Sequence, residues 1–208
     1  MGAPRRRLAP EQRRAQLLDI GARLFAERPY DEVWIEEIAE LAGVSRGLMY
    51  HYFPTKRDFF AAIVKRSADE LLAATEPDPD EPVAVQIARG LDAYIQHVVT
   101  RRHGVRAVSH GALSADPEIR ATVEDELATQ QERILDALDL DPEARAIAAI
   151  GVHGWIAFVR AVCVDWIDRP VVSADELREL CLRTLAGVLA PVVELGPTQT
   201  SSDGALRG

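Results

Sequence analysis

Five residues between positions 45 and 51 are of types that are suited to binding nucleic acid. A hydroxyl, a guanidinium, a phenol and an imidazole can donate hydrogen bonds to phosphate oxygens and base edges. A glycine among them lets the backbone approach a partner closely. We expect the group to lie on a short helix that enters the DNA major groove. Its members are Ser45, Arg46, Gly47, Tyr50 and His51.

The helix that would carry these residues runs from Ser45 to Phe53, after another at about Trp34–Leu41. Ser45 can cap the helix, because its hydroxyl accepts a hydrogen bond from an orphan backbone N–H. Gly43 supplies the positive φ of the turn, and the small Ala39 fits where the two helices cross. Residues 34–53 therefore have the spacing of a helix-turn-helix, the alternative being two packed helices with a merely solvated polar face. The expected internal core is Ile38, Val44, Met49 and Phe53.

The pattern from Ile38 to Lys56 is Ile-Ala-x-x-Ala-Gly-Val-Ser-x-Gly-x-x-Tyr-x-x-Phe-x-x-Lys. It resembles the DNA-binding domain of the tetracycline-repressor (TetR) family over about residues 10–70. The rest of the chain is similar in helix count, in a proline-containing break and in the phrase Trp166-Ile-Asp-Arg-Pro170. The resemblance implies an all-helical homodimer, usually a repressor, that leaves a palindromic operator when a small molecule enters its C-terminal domain.

The resemblance also implies roles for individual residues. Ser45, Arg46 and Gly47 would begin the recognition helix. Tyr50 and His51 would reach phosphates or base edges, and Lys56 would contact a phosphate. One position departs from the family pattern: Val33 and Trp34 stand where Ser or Thr is usual before the second helix. Trp34 would then pack on the sugar-phosphate backbone or donate its indole N–H, or serve only in packing.

An arginine-rich arm precedes the first helix, with Arg5, Arg6 and Arg7 in succession. Such arms follow the DNA backbone or enter a narrow minor groove, and each phosphate they neutralise adds to the salt dependence of binding. The alternative is a solubilising tail that contacts nothing.

A ligand-responsive regulator also needs a pocket in its second part. Small-molecule sites combine apolar and aromatic walls with a few polar groups. For each candidate taken singly, there is a simpler role than ligand binding: a core residue, a surface residue or a member of an ion pair. The candidates are polar and aromatic residues that stand among apolar neighbours in the sequence. They are Tyr94, His97, Arg106, His110, Trp155, Phe158 and Arg160.

The alternative from another functional class is that the protein is an enzyme. Histidines at 97, 103, 110 and 153 could supply acid–base chemistry beside scattered acids. No nucleophile elbow, phosphate loop or His-Glu-x-x-His motif accompanies them. Cys163 and Cys181 have no closely spaced partner that would indicate zinc or a disulfide framework. We therefore expect no catalytic residues, metal or cofactor. A transcriptional activator, or a constitutive DNA-binding factor, of the same fold is the alternative that keeps DNA binding.

The elements that must position these residues are helices. Aromatic residues are only 6% of a 208-residue chain that is 48% hydrophobic, and the recurring alanine and leucine lose little rotamer freedom in a helix. Apolar spacing predicts an all-α fold of about nine helices. The first starts at about Pro10 and is stopped by Pro29, and the fourth starts after Thr55. An acidic linker or exposed loop follows at Glu76–Pro82. The last five are expected at Val83–Thr100, His103–Ser114, Pro117–Leu138, Pro142–Ile167 and Ala174–Leu189.

These helices suggest a basic arm at 1–9, a three-helix helix-turn-helix DNA-binding domain at 10–56, a helical ligand-binding and dimerisation domain at 57–195, and a disordered tail at 196–208. The net charge of −9 is unevenly divided. Residues 1–66 hold twelve Lys and Arg against nine Asp and Glu, and the remainder holds twelve against 24. A mildly basic first part can approach DNA while the acidic part is repelled, although a merely charged surface would look the same.

The stretch Ala146–Ile167 is apolar on nearly every side and approaches the length of a membrane span. Arg160 and Asp165 interrupt it and would make insertion costly, so we expect no membrane partner. In a water-soluble protein every side of such a helix must be covered. We expect a homodimer whose four-helix interface uses Pro142–Ile167 and Ala174–Leu189, purely intramolecular burial being the alternative. The N-terminus lacks the apolar run of a secretory signal, so we expect a cytoplasmic protein.

Overall fold

The structure, a computed structural model, describes residues 8–111 and 113–194. Within that part of the chain it contains nine α-helices, a 3₁₀ turn at Tyr30–Glu32 and no strand, which confirms the predicted all-α class. The arm residues Arg5–Arg7 and the predicted tail at 196–208 lie outside the described residues. The helices are α1 (Pro10–Glu27), α2 (Ile35–Ala42), α3 (Arg46–Tyr52), α4 (Lys56–Ala74), α5 (Val83–Thr100), α6 (Arg102–Ser109), α7 (Pro117–Ala137), α8 (Pro142–Asp168) and α9 (Ala174–Glu194).

The first four helices pack around one apolar core, and we call residues 10–63 the head. Phe25 of α1 meets Phe60 of α4 edge to face, with ring centroids 4.9 Å apart. Gly21 makes this close approach of α1 and α4 possible, because a Cβ there would lie 2.4 Å from the ring of Phe59. Since Phe59 and Phe60 belong to this core, the boundary predicted at residue 56 falls just before side chains that complete the head.

A second core surrounds α8, and we call residues 83–194 the body. Trp155 is almost fully buried, and its indole N–H donates to the carbonyl of Cys181 in α9 at 2.8 Å. α8 also packs against α5, α6 and α7. Among the described residues it is the one helix with the length and apolarity of a membrane span, properties that core helices of water-soluble proteins share.

Proline and aspartate start two of the long body helices as predicted. Asp116 accepts hydrogen bonds from the backbone N–H groups of residues 118 and 119, both at 3.1 Å. Asp141 does the same at the start of α8, at 3.0 Å. Pro117 and Pro142 occupy the first helical positions, where the N–H that proline lacks has no partner in the helix anyway.

Two helix ends differ from prediction by more than one or two residues. α6 ends at Ser109 rather than Ser114, and the chain turns at Gly111, where a Cβ would lie 2.8 Å from the Cα of Ala107. α9 continues through Pro191 to Glu194 instead of ending at Leu189. The missing N–H of Pro191 removes one hydrogen bond, but the extra turn buries Val192, which is 2% exposed.

One apolar side of α8 and α9 is uncovered in the single chain. Ile147 and Ile150 are exposed, Ile150 by 77%, and in α9 Leu180 is half exposed. Gly154 and Gly187 lie at helical spacing from them, and a Cβ at either glycine would meet no atom within 4 Å. We call this surface the α8–α9 face.

Candidate DNA interface and ligand cavity

The turn between α2 and α3 has the geometry that the sequence predicts. Gly43 lies in the left-handed region at φ 65° and ψ 36°, a conformation that glycine adopts without steric penalty. The N–H groups of Gly43 and Val44 donate back to the carbonyls of Glu40 and Ala39, both at 2.9 Å. Ala39 is 2% exposed, consistent with a close packing of the two helices at this point.

The predicted internal core of the motif is confirmed. Ile38 and Met49 are fully buried and Phe53 is 3% exposed, while Val44 packs against them from a partly buried position. Phe53 also meets Phe59 of α4, with ring centroids 4.7 Å apart. The recognition helix is therefore held on a rigid support, as a surface that reads DNA requires.

The five residues predicted to face DNA are all exposed. Ser45 caps α3, because its hydroxyl accepts from the N–H of Leu48 at 3.2 Å. Arg46 pairs with Glu36 of α2 on the open surface. A Cβ at Gly47 would meet no atom within 4 Å, so packing in the free protein does not require a glycine there. Tyr50 is 40% exposed, which leaves its ring accessible to a partner.

Trp34, Tyr30 and Lys56 form a corner beside the recognition helix. Trp34 is the N-cap residue of α2, makes no capping hydrogen bond with its side chain and is 65% exposed. The Lys56 ammonium lies 4.3 Å from the Tyr30 ring centroid and 6.0 Å from that of Trp34. Partial burial lowers the pKa of Lys56, and the charge of Asp31 opposes this effect. The corner offers a cation and an exposed aromatic face to whatever lies along α3.

A cluster of charges fastens the first turn of α4 to the start of α7. Arg57 donates to both carboxylate oxygens of Asp116, at 2.6 and 2.8 Å, and to Glu118 at 2.7 Å. The bidentate geometry adds directional strength to the ion pair. The Arg57 guanidinium and the backbone N–H of Ile119 lower the pKa of Asp116. No local pattern points to this contact, since Arg57 and Asp116 are 59 residues apart.

The body contains a cavity of about 790 Å³, part of which is open to solvent. It lies between α4, α5, α7 and α8, and we call it the body cavity. Its walls are mainly apolar, with Ile87, Leu91 and Ile156 among them. Three of the predicted ligand residues, Tyr94, Trp155 and Arg160, contribute to the lining.

A second cavity, also about 790 Å³ with its solvent-open part included, reaches into the head. We call it the hinge cavity, because side chains of α1 and α4 line it together with side chains of α5 to α8. Phe25 and Phe60 form part of its wall on the head side. His97, Tyr94 and Arg160 are the predicted ligand residues that line it.

Four residues are common to both linings and form what we call the shared wall: Leu71, Tyr94, Glu126 and Arg160. Glu126 is 8% exposed, and burial raises the pKa of its carboxyl although Arg160 opposes the shift. The ring of His97 stacks on Tyr94 beside this wall. Burial, with the charges of Arg101 and Arg160, lowers the pKa of His97 to about 4, so the imidazole is neutral at pH 7.

The other predicted ligand residues lie elsewhere. Arg106 pairs with Asp168 at the end of α8. Phe158 packs against the body core from a half-buried position. His110 lines a third, more open cavity with Arg160. Glu126 was not predicted, although it stands on the helical register of Ile119 and Val123, where a charged residue is unusual.

Two family profiles match the chain. "Bacterial regulatory proteins, tetR family" covers residues 17–63, and "Tetracyclin repressor-like, C-terminal domain" covers residues 83–188. The HTH-type transcriptional activator FasR of Mycolicibacterium smegmatis is 27% identical over 79% of this chain and 78% of its own length. The HTH-type transcriptional repressor KstR2 of Rhodococcus jostii is 33% identical over 49% of this chain and 47% of its own length.

A solved tetR-family regulator from Streptomyces coelicolor superposes with a TM-score of 0.80 at 28% identity, covering 90% of this chain and 84% of that one. The two profiles together span the helix-turn-helix and most of the body. The chain therefore belongs to the TetR family of DNA-binding transcriptional regulators, and not to a family of enzymes.

Proposed function

We propose that this regulator is a cytoplasmic homodimeric repressor that binds a palindromic operator and leaves it when a small molecule occupies its cavities. The observation that carries the proposal is the double role of α4. Its first turns complete the core beneath the recognition helix, and its later residues line both cavities. A ligand that favours another position of α4 would shift the population of head positions.

The DNA contacts proposed for the recognition helix come from its exposed side. Ser45 and Gly47 bring the backbone close to the phosphates, while Arg46, Tyr50 and His51 reach bases or phosphates. Arg46 would exchange Glu36 for a base edge. Trp34 and Lys56 contact the backbone beside the helix, and the arm Arg5–Arg7 adds phosphate contacts.

The α8–α9 face supports the homodimer. Uncovered isoleucines and leucine beside glycines leave an apolar surface into which another helix pair can pack closely. A two-fold axis through this face would make the contact self-complementary. Both heads would then have to meet half-sites at a fixed spacing, so a small change in head separation would weaken binding.

A substitution at Arg46 tests the DNA interface. Arg46→Ala should lower affinity for the DNA flanking the protein's own gene by about 1–3 kcal/mol, the usual value of one bidentate base contact, as measured by fluorescence anisotropy. Arg120→Ala is the matched control, because Arg120 is also an exposed arginine paired with a glutamate. Equal affinities for the two variants would contradict the assigned interface.

Ligand release has its own test. Footprinting with and without a panel of small apolar acids, alcohols and amines should identify a compound that weakens operator binding. If none does so, the protein is a constitutive factor. Transcription from the bound promoter distinguishes repressor from activator, an alternative favoured by the similarity to FasR, which is named as an activator.

A further inference from the structure

Three polar residues that line the body cavity already hydrogen-bond within the protein. The Gln130 amide donates to the Thr75 hydroxyl at 2.7 Å, and Arg133 donates to the carbonyl of Leu72 at 2.6 Å. Thr75 in turn donates to the carbonyl of Leu71 at 2.8 Å. These hydrogen bonds hold α4 against α7 and occupy the Gln130 amide N–H, the Thr75 hydroxyl and Nη1 of Arg133.

The shared wall differs in this respect. Within residues 8–111 and 113–194, the side chains of Tyr94, His97 and Arg160 make no hydrogen bond or ion pair with another residue. The fourth polar group, Glu126, is more than nine-tenths buried. Tyr94, His97 and Arg160 are partly buried, and their polar groups line cavity space where an entering partner would find them unoccupied.

The donors of the cluster fit an acid, and burial favours the uncharged form of the Glu126 carboxyl beside them. Arg160 presents several donors and a permanent positive charge, and the Tyr94 hydroxyl adds another donor. A carboxylate can accept from both groups, and its charge is compensated by the guanidinium. The neutral imidazole of His97 places no second cation against a ligand.

The small residues of the hinge cavity show where the rest of such a ligand fits. Ala22 and Ala26 of α1, Ala68 of α4 and Gly104 of α6 all line it, and a Cβ at Gly104 would meet no atom within 4 Å. Apolar side chains, including Val64 and Val105, form most of the remaining lining, which also contains Ser67, Arg101 and Ser109. An apolar tail is therefore the part of a ligand that this space accepts.

A tail in the hinge cavity is also placed to act on the head. The body cavity meets the head-bearing helix α4 only near its end, at Leu71 and Thr75. The hinge cavity is lined by both α1 and α4, over the α4 residues from Phe60 to Leu71, roughly 16 Å at the helical rise. A molecule that extends along this path contacts the two helices that support the recognition helix.

From these observations we propose that the effector is an elongated amphipathic acid, with its carboxylate held by Arg160 and Tyr94 at the shared wall and its apolar tail in the hinge cavity. The inference rests on the proposed ligand-released regulator and names its ligand class. The tail separates α1 from α4 and changes the position of the recognition helix directly.

Straight-chain alkanoates from hexanoate to octadecanoate are the probes. Calorimetry without DNA should show affinity rising with chain length, and DNA binding should weaken only with the longer acids. Arg160→Met should lower affinity for the acids about tenfold or more, the scale of a charge-assisted hydrogen bond. The corresponding alcohols should bind both proteins weakly and equally. Equal losses for acids and alcohols would overturn the assignment of the carboxylate to Arg160.

Two glycine variants locate the tail. Gly104→Leu narrows the hinge cavity and should weaken the response of DNA binding to long alkanoates. Gly90→Leu is the matched control, because Gly90 lies in a helix lining the body cavity and a Cβ there makes only an ordinary contact of 3.9 Å with Thr75. Thermal unfolding checks that both variants fold. If DNA binding no longer responds to long alkanoates in Gly90→Leu but still responds in Gly104→Leu, the tail lies in the body cavity and the proposal is overturned.

The failure of this inference is distinguishable from failure of the proposed function. If the alkanoates do not bind but a compact molecule from the panel releases DNA, the ligand class is wrong and the regulator is still ligand-released. If the protein binds its operator and no compound alters that binding, the ligand-released function itself is wrong.

Discussion

At the start of α2 an indole stands where a capping hydroxyl would serve the helix better. The first turn of α2 carries Glu36 and Glu37, whose negative charges are favourable at a helix N-terminus. The side chain of the N-cap residue Trp34, however, accepts no hydrogen bond from the backbone N–H groups of this turn. An exposed tryptophan beside Lys56 is unfavourable for the free protein. We interpret it as a compromise in which some helix stability is given up for contact with the DNA backbone.

Replacing Trp34 with threonine separates these two effects. Trp34→Thr restores a capping hydroxyl and should raise the free energy of unfolding by about 1 kcal/mol, while operator affinity falls because the aromatic face is lost. Trp34→Phe keeps an aromatic ring but lacks the indole N–H. Its operator affinity therefore shows whether ring packing or the N–H hydrogen bond contributes to DNA binding. Chemical denaturation and anisotropy measure the two quantities. An operator affinity in Trp34→Thr equal to that of the wild type would leave Trp34 with a packing role only.

Local physics explains which residues were predictable. Ser45 and Gly43 act within three or four residues of their own position, so a cap and a turn are visible in the sequence itself. Glu126 carries a weaker signal, a charge on an apolar register, that only becomes meaningful beside Arg160. Arg57 carries none, because its partners become neighbours only after α4 and α7 pack.

At the scale of elements, α4 and α7 form the junction between the head and the body. They touch at one end through Arg57 and Asp116 and at the other through Arg133 and the carbonyl of Leu72. The sequence predicts both helices, but the residues that bind them lie far apart in the chain. The junction therefore follows from the tertiary arrangement and not from either helix alone.

The charge at Asp116 gives this junction a pH dependence. Because the folded pKa of Asp116 lies below its ordinary value of 3.8, its contribution to stability is complete above that value and is lost as pH falls through the folded pKa. Asp116→Asn keeps a good N-cap for α7 but removes the charge. The variant should be less stable than wild type at pH 7, with a difference that shrinks toward pH 3 in urea unfolding.

Asp136→Asn is the control for this comparison, because Asp136 pairs with Arg145 on the exposed side of the same helix, with its side chain 72% exposed. Exposed pairs contribute little to stability, so we expect almost no change at either pH. A difference between wild type and Asp116→Asn that stays constant with pH would show that the charge of Asp116 does not stabilise the junction.

At the scale of the whole molecule, the apolar excess of α8 was evident from its sequence, but the division of its surface was not. Trp155 and Cys163 turn toward the body core, whereas Ile150 and Gly154 remain outside. A helix that is apolar on every side does not indicate which side meets its own chain. That distinction depends on where α5, α7 and α9 pack.

The uncovered side leads to a prediction about assembly. Ile150→Glu places a carboxylate on the α8–α9 face, and a two-fold axis would bury it twice without a partner. Since burying an unpaired charge costs several kcal/mol, the variant should be monomeric in sedimentation velocity at concentrations where the wild type is a dimer, and should lose tight binding to the palindrome. Val171→Glu is the matched control, because Val171 is 86% exposed in the loop between α8 and α9 and should tolerate the charge without dissociation. A dimeric Ile150→Glu would place the subunit contact on another surface, and the spacing of the two heads would then depend on helices other than α8 and α9.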